Sequence, residues 1–413
     1  MLHSLRLYLF VWVLLGGSIG ACVATGQSGG EAGQPDSSTP FGSTDAGHGE
    51  GDGTVFDSNS GSETSTSNDA PGGPEADTSV DTRSPSLSDS GTDSPDVADA
   101  GTLRFTCPAG PFTAPTLTGL MPTKVAGVPP SDSFNNTNKS FGIIEGPVWV
   151  GDSLYVSEIG ESPSGQNPPP SRILRVTSAG AVSIAIADSG SNGLAVDKDD
   201  NLYGAVHTSG SIERFDLSTG VATPIATEYM GSRFDSPNDL AIRSDGNIYF
   251  SDPDDQAPTP RPQMQTRLYR VASGTSAVSV IDATLSEPNG VTLSLDENTL
   301  YVTSTHGLFK YPVMTDGSVG AGTLVTSSLN GDGMAIDCAG DLYVASIDSP
   351  NIVVLSPSGT QIGEISVPSG SVQGVTNVAF GGADHKTLYI TALGTGPLKG
   401  LFQVSMSIPG MPY

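Results

Sequence analysis

Six residues with oxygen-bearing side chains recur at one spacing in this 413-residue chain: Glu145, Asn192, Asn238, Asn289, Asp332 and Asn377. Each lies nine to eleven positions ahead of an aliphatic residue that is followed by tyrosine, namely Leu154-Tyr155, Leu202-Tyr203, Ile248-Tyr249, Leu300-Tyr301, Leu342-Tyr343 and Leu388-Tyr389. Two carboxylates among neutral amides, with no clustered histidine or cysteine, make a donor set for a hard divalent cation. Ca²⁺ is the first expectation and Mg²⁺ or Mn²⁺ the next, with Zn²⁺ a further alternative. A competing reading is that some of these residues simply begin strands and cap loops, since Asn-Gly and Asp-Gly are strong turn dipeptides. That reading is preferred for Asn192 and Asn377. It does not extend to Glu145, because Glu-Gly-Pro-Val-Trp repeats nowhere else in the chain.

Such positions converge only if their segments are arranged radially. The tyrosines fall at intervals of 48, 46, 52, 42 and 46 residues, counted from Tyr155 to Tyr389, which suits one four-stranded propeller blade per repeat. Before each pair stands an apolar run ending in a turn, such as GLAVDKDDN or GMAIDCAGD, so run, turn and pair read as a hairpin. Alternating third segments follow as RILRVT, SIERFD, RLYRVA, GLFKYP, NIVVLS and GLFQVS. Fourth strands are visible for the first five repeats but not after the sixth. The expected fold is therefore an all-β, six-bladed β-propeller preceded by a disordered linker. The segment from Pro122 to Val128 is expected to supply the missing strand, pairing the two ends of the chain and covering a sheet edge.

The expected domains are a signal at 1–21, a tether at 22–103 and the propeller at 104–413. Arg6, the apolar run Leu7 to Leu15 and the small residues before Cys22 form an export signal. Ile19-Gly20-Ala21-Cys22 resembles the bacterial lipobox, which would make Cys22 a lipidated N-terminus; an ordinary cleaved secretory signal is the alternative. The run is shorter than the ~20 apolar residues of a spanning helix. The expected location is the cell envelope, with the membrane touched through the N-terminal lipid only. The outer membrane is favoured because Val23 is not the aspartate that retains lipoproteins at the inner membrane in some bacteria. From Val23 to Leu103 fifteen acidic residues face one basic residue, Arg83, a net −14 within the chain's −27. A stretch so polar cannot offset its own ordering entropy, so the chain's acidity says little about its substrate. No basic patch points to nucleic acid, and no protein partner is legible. With Cys22 lipidated, Cys107 and Cys338 are the pair available for a disulfide in an oxidising compartment.

Four motifs in order, Glu145-Gly-Pro-Val-Trp149, Ser236-Pro-Asn-Asp239, Pro288-Asn-Gly290 and Gly331-Asp-Gly-Met334, resemble those of the SMP-30/gluconolactonase family of six-bladed propellers. The resemblance implies that Glu145, Asn289 and Asp332 bind a catalytic divalent metal, with Asn238 contacting either the metal or the substrate. It also implies hydrolysis of a lactone or similar ester. A bound cation would polarise the carbonyl and stabilise the developing oxyanion, with Asp332 as general base towards the attacking water. The competing assignment keeps Asp332 as a ligand only. His207 and Arg233 are the substrate-pocket candidates, while His306 and His385 read as strand-end residues.

Departures from the family pattern touch substrate choice rather than metal binding. Asp252-Pro253 runs into DDQAPTPRPQMQ instead of an aromatic, glycine-rich continuation, Tyr301-Val-Thr-Ser304 lacks a closing aspartate, and Ala205-Val-His207 replaces Glu-His. Two rival functions stand beside lactone hydrolysis. One is hydrolysis of aryl esters or phosphotriesters at the same site, and the other is a surface-anchored binding propeller in which the metal only stiffens the ring.

Overall fold

The computed structural model describes residues 105–129, 143–160, 167–368, 370, 372–394 and 400–412. The expected signal segment, the expected lipidation at Cys22 and the expected tether lie outside the described residues.

Alternation along a strand sends consecutive side chains to opposite faces, and the repeated aliphatic-Tyr pair uses both. Leu154 packs into the cluster between the sixth and first blades, while Tyr155 enters the cluster between the first and second. Leu342 and Tyr343 divide in the same way between the two flanks of the fifth blade. The other four pairs follow the pattern, so six apolar clusters form, one at each junction between blades. The pair is thus a two-sided staple, and its recurrence is why the blades stack into a ring.

Each blade is a four-stranded antiparallel sheet. The innermost strands are Ile143–Val150, Ser191–Val196, Leu240–Ile242, Val291–Leu293, Gly331–Ile336 and Val372–Gly381. In the sixth sheet Thr123–Lys124 is the outermost strand, with Thr123 opposite Gln403 and Lys124 opposite Phe402. The ends of the ring are therefore joined by the segment expected from the sequence. Val125 and Val128 are buried beside Leu401 in the junction cluster, and the Val125 N–H donates to the Leu401 carbonyl at 2.9 Å.

The end of the axis away from Glu145 is covered by the C-terminal segment. Cys338 N–H donates to Pro409 O at 2.8 Å, Met411 N–H to Ile336 O at 2.9 Å, and Trp149 N–H to Pro412 O at 3.3 Å. Behind Met411 remains a cavity of about 20 Å³, lined by Ala195, Ile242, Leu293 and Ile336 among others, room for about one water. Cys107 and Cys338 form a disulfide across 231 positions of sequence. The N-terminal arm it holds places Phe105 against His385, with ring centroids 3.9 Å apart.

Candidate metal and active site

Several innermost strands open with a break in pairing. Register shifts fall between Glu145 and Val148, Ser191 and Leu194, Gly331 and Met334, and Val375 and Asn377. Such bulges re-aim the residues they contain. Here the axial side chains turn back onto their own strands. Gly146 N–H donates to Glu145 Oε2 at 3.1 Å, Leu240 N–H to Asp239 Oδ1 at 2.9 Å, and Val378 N–H to Asn377 Oδ1 at 2.8 Å.

At four of the six junctions, hydroxyls brace one blade's axial strand against the next blade. Ser157 and Ser191 share a bond of 2.7 Å; Ser251 Oγ donates to Asn289 O at 2.6 Å, Thr303 Oγ1 to Asp332 O at 2.7 Å, and Thr376 Oγ1 to Ile144 O at 2.9 Å. Backbones approach so closely that two glycines have no substitute. A Cβ on Gly193 would lie 2.5 Å from Asp239 Oδ1, and one on Gly290 would lie 2.3 Å from Asp332 O.

This scaffold brings together three buried carboxyl groups: Glu145, Asp332 and Asp239. Burial holds the Glu145 carboxyl well above the usual range, and the nearby Asp239 charge adds to the effect. Asp239 is pushed up to about 7 by burial, although Leu240 and Val291 N–H groups favour its ionised form; the Val291 bond, to Oδ2, is 3.2 Å long. Asp332 is raised by burial and then by repulsion from Glu145 and Asp239. None of the principal influences on the three is a basic side chain. Buried like charges are costly unless a counter-charge joins them, so this set fits a divalent cation.

Asn238 and Asn289 are half-buried. Their backbones are fixed by Gly193 N–H to Asn238 O at 2.6 Å and Asn289 N–H to Thr303 O at 2.9 Å. Among the described residues neither side-chain amide is engaged, which leaves both oxygens available as donors to a cation. Asn192 instead donates through Nδ2 to Gln256 Oε1 at 3.1 Å, bringing the segment after Asp252-Pro253 to the mouth. There Asp254, Asp255 and Glu287 hold carboxylate oxygens within 4.8 Å of one another, and Asp255 adds to the repulsion on Asp332. This rim is a second, more exposed acidic group that can also attract cations.

The two pocket candidates are committed to backbone. His207 is fully buried, with Nε2–H donating to Pro169 O at 2.9 Å, and burial lowers its pKa to about 4. Arg233 engages the carbonyls of Phe234, Thr208 and His207 through its three guanidinium nitrogens. Arg233 is thus fully engaged, while His207 keeps its buried Nδ1 without a hydrogen-bond partner among the described residues.

Asp239 escaped the repeat-based reading because the repeat was counted with one polar residue per blade. Its signal was present in the Asn-Asp of Ser236-Pro-Asn-Asp239. The rim group joins residues 32 positions apart, from Asp255 to Glu287, and no contiguous motif announces it.

A family model described as the SMP-30/Gluconolactonase/LRE-like region matches residues 143–394. A gluconolactonase from Zymomonas mobilis subsp. mobilis is 30% identical over 285 residues, covering 60% of this chain and 75% of that protein. Regucalcin from Xenopus laevis is 25% identical over 268 residues, 62% of this chain and 84% of its own length. Among solved structures, a gluconolactonase from Xanthomonas campestris aligns with a TM-score of 0.55 at 26% identity, covering 73% of this chain and 99% of that one.

Proposed function

The chain belongs to the SMP-30/gluconolactonase/LRE-like family, and from that premise we propose that it is a divalent-cation-dependent hydrolase of a lactone, sugar lactones being the first class to test. The observation that carries the metal requirement is the set of Glu145, Asp239 and Asp332, buried together with no basic side chain among the principal influences on them. Glu145 and Asp332 would hold the cation, with the free amide oxygens of Asn289 and Asn238 completing the donor set. Ca²⁺ suits such oxygen ligands best. A cation bound there supplies Lewis acidity towards the lactone carbonyl.

The chain's own groups do the rest. Asp332 takes a proton from the attacking water as its oxygen bonds to the carbonyl carbon. The ring C–O bond then breaks, and the proton passes to the departing ring oxygen, which becomes the hydroxyl of the hydroxy acid product. Glu145 and the asparagines orient the site, and the covered far end of the axis directs substrate to the mouth beside Asp255.

The test is hydrolysis of a panel of sugar and aliphatic lactones with Ca²⁺ and with chelator, beside Asp332→Ala and Asp332→Asn. Metal-dependent turnover, lost in Asp332→Ala with the fold intact, is the expected result. Asp332→Asn keeps an oxygen donor, so retained Ca²⁺ binding without turnover would identify Asp332 as the base. Absence of turnover on every lactone, with metal bound, would refute the reading and turn the search to aryl esters and phosphotriesters, then to a non-catalytic binding role.

Tethering at the cell envelope through a lipid on Cys22 is part of the same proposal, supported by Ile19-Gly20-Ala21-Cys22 after the apolar run. Incorporation of labelled palmitate into the wild-type chain but not into Cys22→Ser is expected. Equal labelling would overturn it.

A further inference from the structure

The segment 253–266, which follows Asp252-Pro253 in the third blade, is strapped across the mouth by side chains at both of its ends. Its back half is pinned to its own blade: Gln263 N–H donates to the buried Asp235 Oδ1 at 2.7 Å, and Arg261 Nε to Asp235 Oδ2 at 3.1 Å. Its front half is a turn closed by Ala257 N–H on Asp254 O at 3.1 Å, with Asp255 and Gln256 at the tip. Three neighbouring blades hold that turn. Asn167 Nδ2, ahead of the third strand of the first blade, donates to Asp255 O at 2.9 Å. Asn192 Nδ2 of the second blade donates to Gln256 Oε1 at 3.1 Å, and Glu287 Oε2, at the entry to the fourth, accepts from Asp254 N–H at 3.1 Å. A segment fixed at so many points is a wall of the site.

Asn192 meets this wall from beside the candidate cation donors. A Cβ on Gly146, the neighbour of Glu145, would lie 2.4 Å from Asn192 O, and the next residue, Gly193, donates its N–H to Asn238 O at 2.6 Å. Asn192 is buried and Gln256 half-buried. Their mutual bond uses one donor and one acceptor. Among the described residues Asn192 Oδ1 and Gln256 Nε2 have no other partner, and neither atom is sealed from solvent. Turning both amides over leaves the same two functions free, one carbonyl oxygen and one NH2 group. A hydroxyl satisfies both at once, because its oxygen accepts while its hydrogen donates. A carbonyl or ring oxygen only accepts, and a methylene does neither.

We propose that Asn192 and Gln256 form a hydroxyl-recognition pair, through which the site prefers lactones bearing a ring hydroxyl to unsubstituted ones. This inference rests on the hydrolase reading above. It gives the strap, where the chain leaves the family pattern, a part in substrate choice. Sites built to hydrogen-bond a hydroxyl discriminate against the analogue lacking it, because their polar groups are then left unpaired.

The experiment measures kcat and KM of the full chain in Ca²⁺ on two lactones with six-membered rings, gluconolactone and δ-valerolactone, which differ in their hydroxyl-bearing substituents. The variants are Gln256→Met, which keeps the bulk and removes both polar functions, and Asn192→Ala, with thermal midpoints checking the fold. The expected result is kcat/KM on gluconolactone reduced by about tenfold in each variant, mainly through KM, with a smaller loss on δ-valerolactone, so that the ratio of the two falls. Should the buried Asn192→Ala fail to fold, Gln256→Met on the strap carries the comparison. A strap that only shapes the mouth would lower both lactones equally. An unchanged ratio, or a wild type that prefers δ-valerolactone, overturns the pair and leaves the hydrolase reading standing. Where wild type takes gluconolactone alone, a higher KM in Gln256→Met supports the pair, and a lower kcat at constant KM overturns it. No turnover of either lactone by wild type overturns the hydrolase reading and the pair with it.

Discussion

Neutralising Asp239 should stabilise the metal-free protein while weakening its hold on metal. The Asp239 carboxyl is pushed from 3.8 up to about 7, chiefly by burial. One pKa unit corresponds to about 1.4 kcal/mol, so the ionised group weakens the metal-free fold by up to roughly 4 kcal/mol above neutral pH. That figure already includes the two backbone N–H bonds that favour the carboxylate. Asparagine removes the charge but keeps only one acceptor oxygen, so its NH2 group meets one of the two backbone N–H donors, Leu240 or Val291, that the carboxylate oxygens accept. Allowing about 1–3 kcal/mol for that unsatisfied buried donor, Asp239→Asn should stabilise the fold by about 1–3 kcal/mol at pH 8 in chelator.

The pH dependence has a definite sign. A folded-state pKa above the unfolded value means that the native state binds the proton more tightly. Stability tied to this group is complete below the unfolded value near 4 and is lost as pH rises through about 7. The advantage of Asp239→Asn should therefore be greatest towards pH 8 and be lost below about pH 4. Urea unfolding with linear extrapolation at several pH values reads this directly. Saturating Ca²⁺ should reverse the order, because ligand binding stabilises the wild type by RT ln(1 + [L]/Kd) and the variant by less. No gain for Asp239→Asn at pH 8 in chelator, or a gain that does not shrink with falling pH, would refute the claim that uncompensated charge defines this site.

Three further outcomes follow from the fold and the mouth. Cys338→Ser opens a loop of 231 positions and should cost about 2–5 kcal/mol in urea under non-reducing conditions; an unchanged midpoint would show that the arm is held without the bond. Deleting residues 1–128 removes the partner of Gln403 and Phe402 and exposes a strand edge, so light scattering should report oligomers or aggregates, whereas a stable monomer would contradict the closure. Even with a dication bound and Arg261 paired to Asp254, the six carboxyl groups at the axis and rim would remain in excess, so neutral lactones should have higher kcat/KM than anionic ones, with Asp255→Asn narrowing the gap; equal kcat/KM for both would discount the rim.

The ring was legible because its signal is repeated. The staple pair needs an aliphatic residue and a tyrosine at adjacent positions, and six copies of it reveal both period and register. The closing strand was legible for the complementary reason: the sixth repeat lacked a fourth strand and an unassigned segment preceded the first. Glu145 and Asp332 stood out as carboxylates where turn chemistry does not demand them. Asp239, Asn377 and the rim were harder. Which of two adjacent polar residues reaches the axis depends on local geometry, such as the bulge before Asn377 and the close approach of Gly193 to Asp239. For His207 and Arg233, strand-end position puts a residue near the mouth, but sequence does not reveal that backbone carbonyls of Pro169, Thr208 and His207 engage His207 Nε2 and the Arg233 guanidinium.

The site and the closure of the ring turn out to depend on the same seam. Glu145 belongs to the first blade, Asp332 to the fifth, and Asn377 to the sixth, which is completed only by Thr123–Lys124. The junction between sixth and first blades carries Thr376 to Ile144, the Trp149 and Tyr389 rings stacked 5.8 Å apart, and the buried Val125 and Val128. The disulfide anchors the arm that leads to that closing strand onto the fifth blade. A shift at this seam would change the separation of Glu145 from Asp332, and a cation needs both carboxylates at once. A cation held by both would therefore oppose separation of the first and fifth blades across the sixth, and the closing strand and disulfide would in turn keep the donors in register. Metal affinity and resistance to unfolding should fall together in variants of the seam. Asp239 lies in the third blade, away from it, and there the two quantities should move in opposite directions.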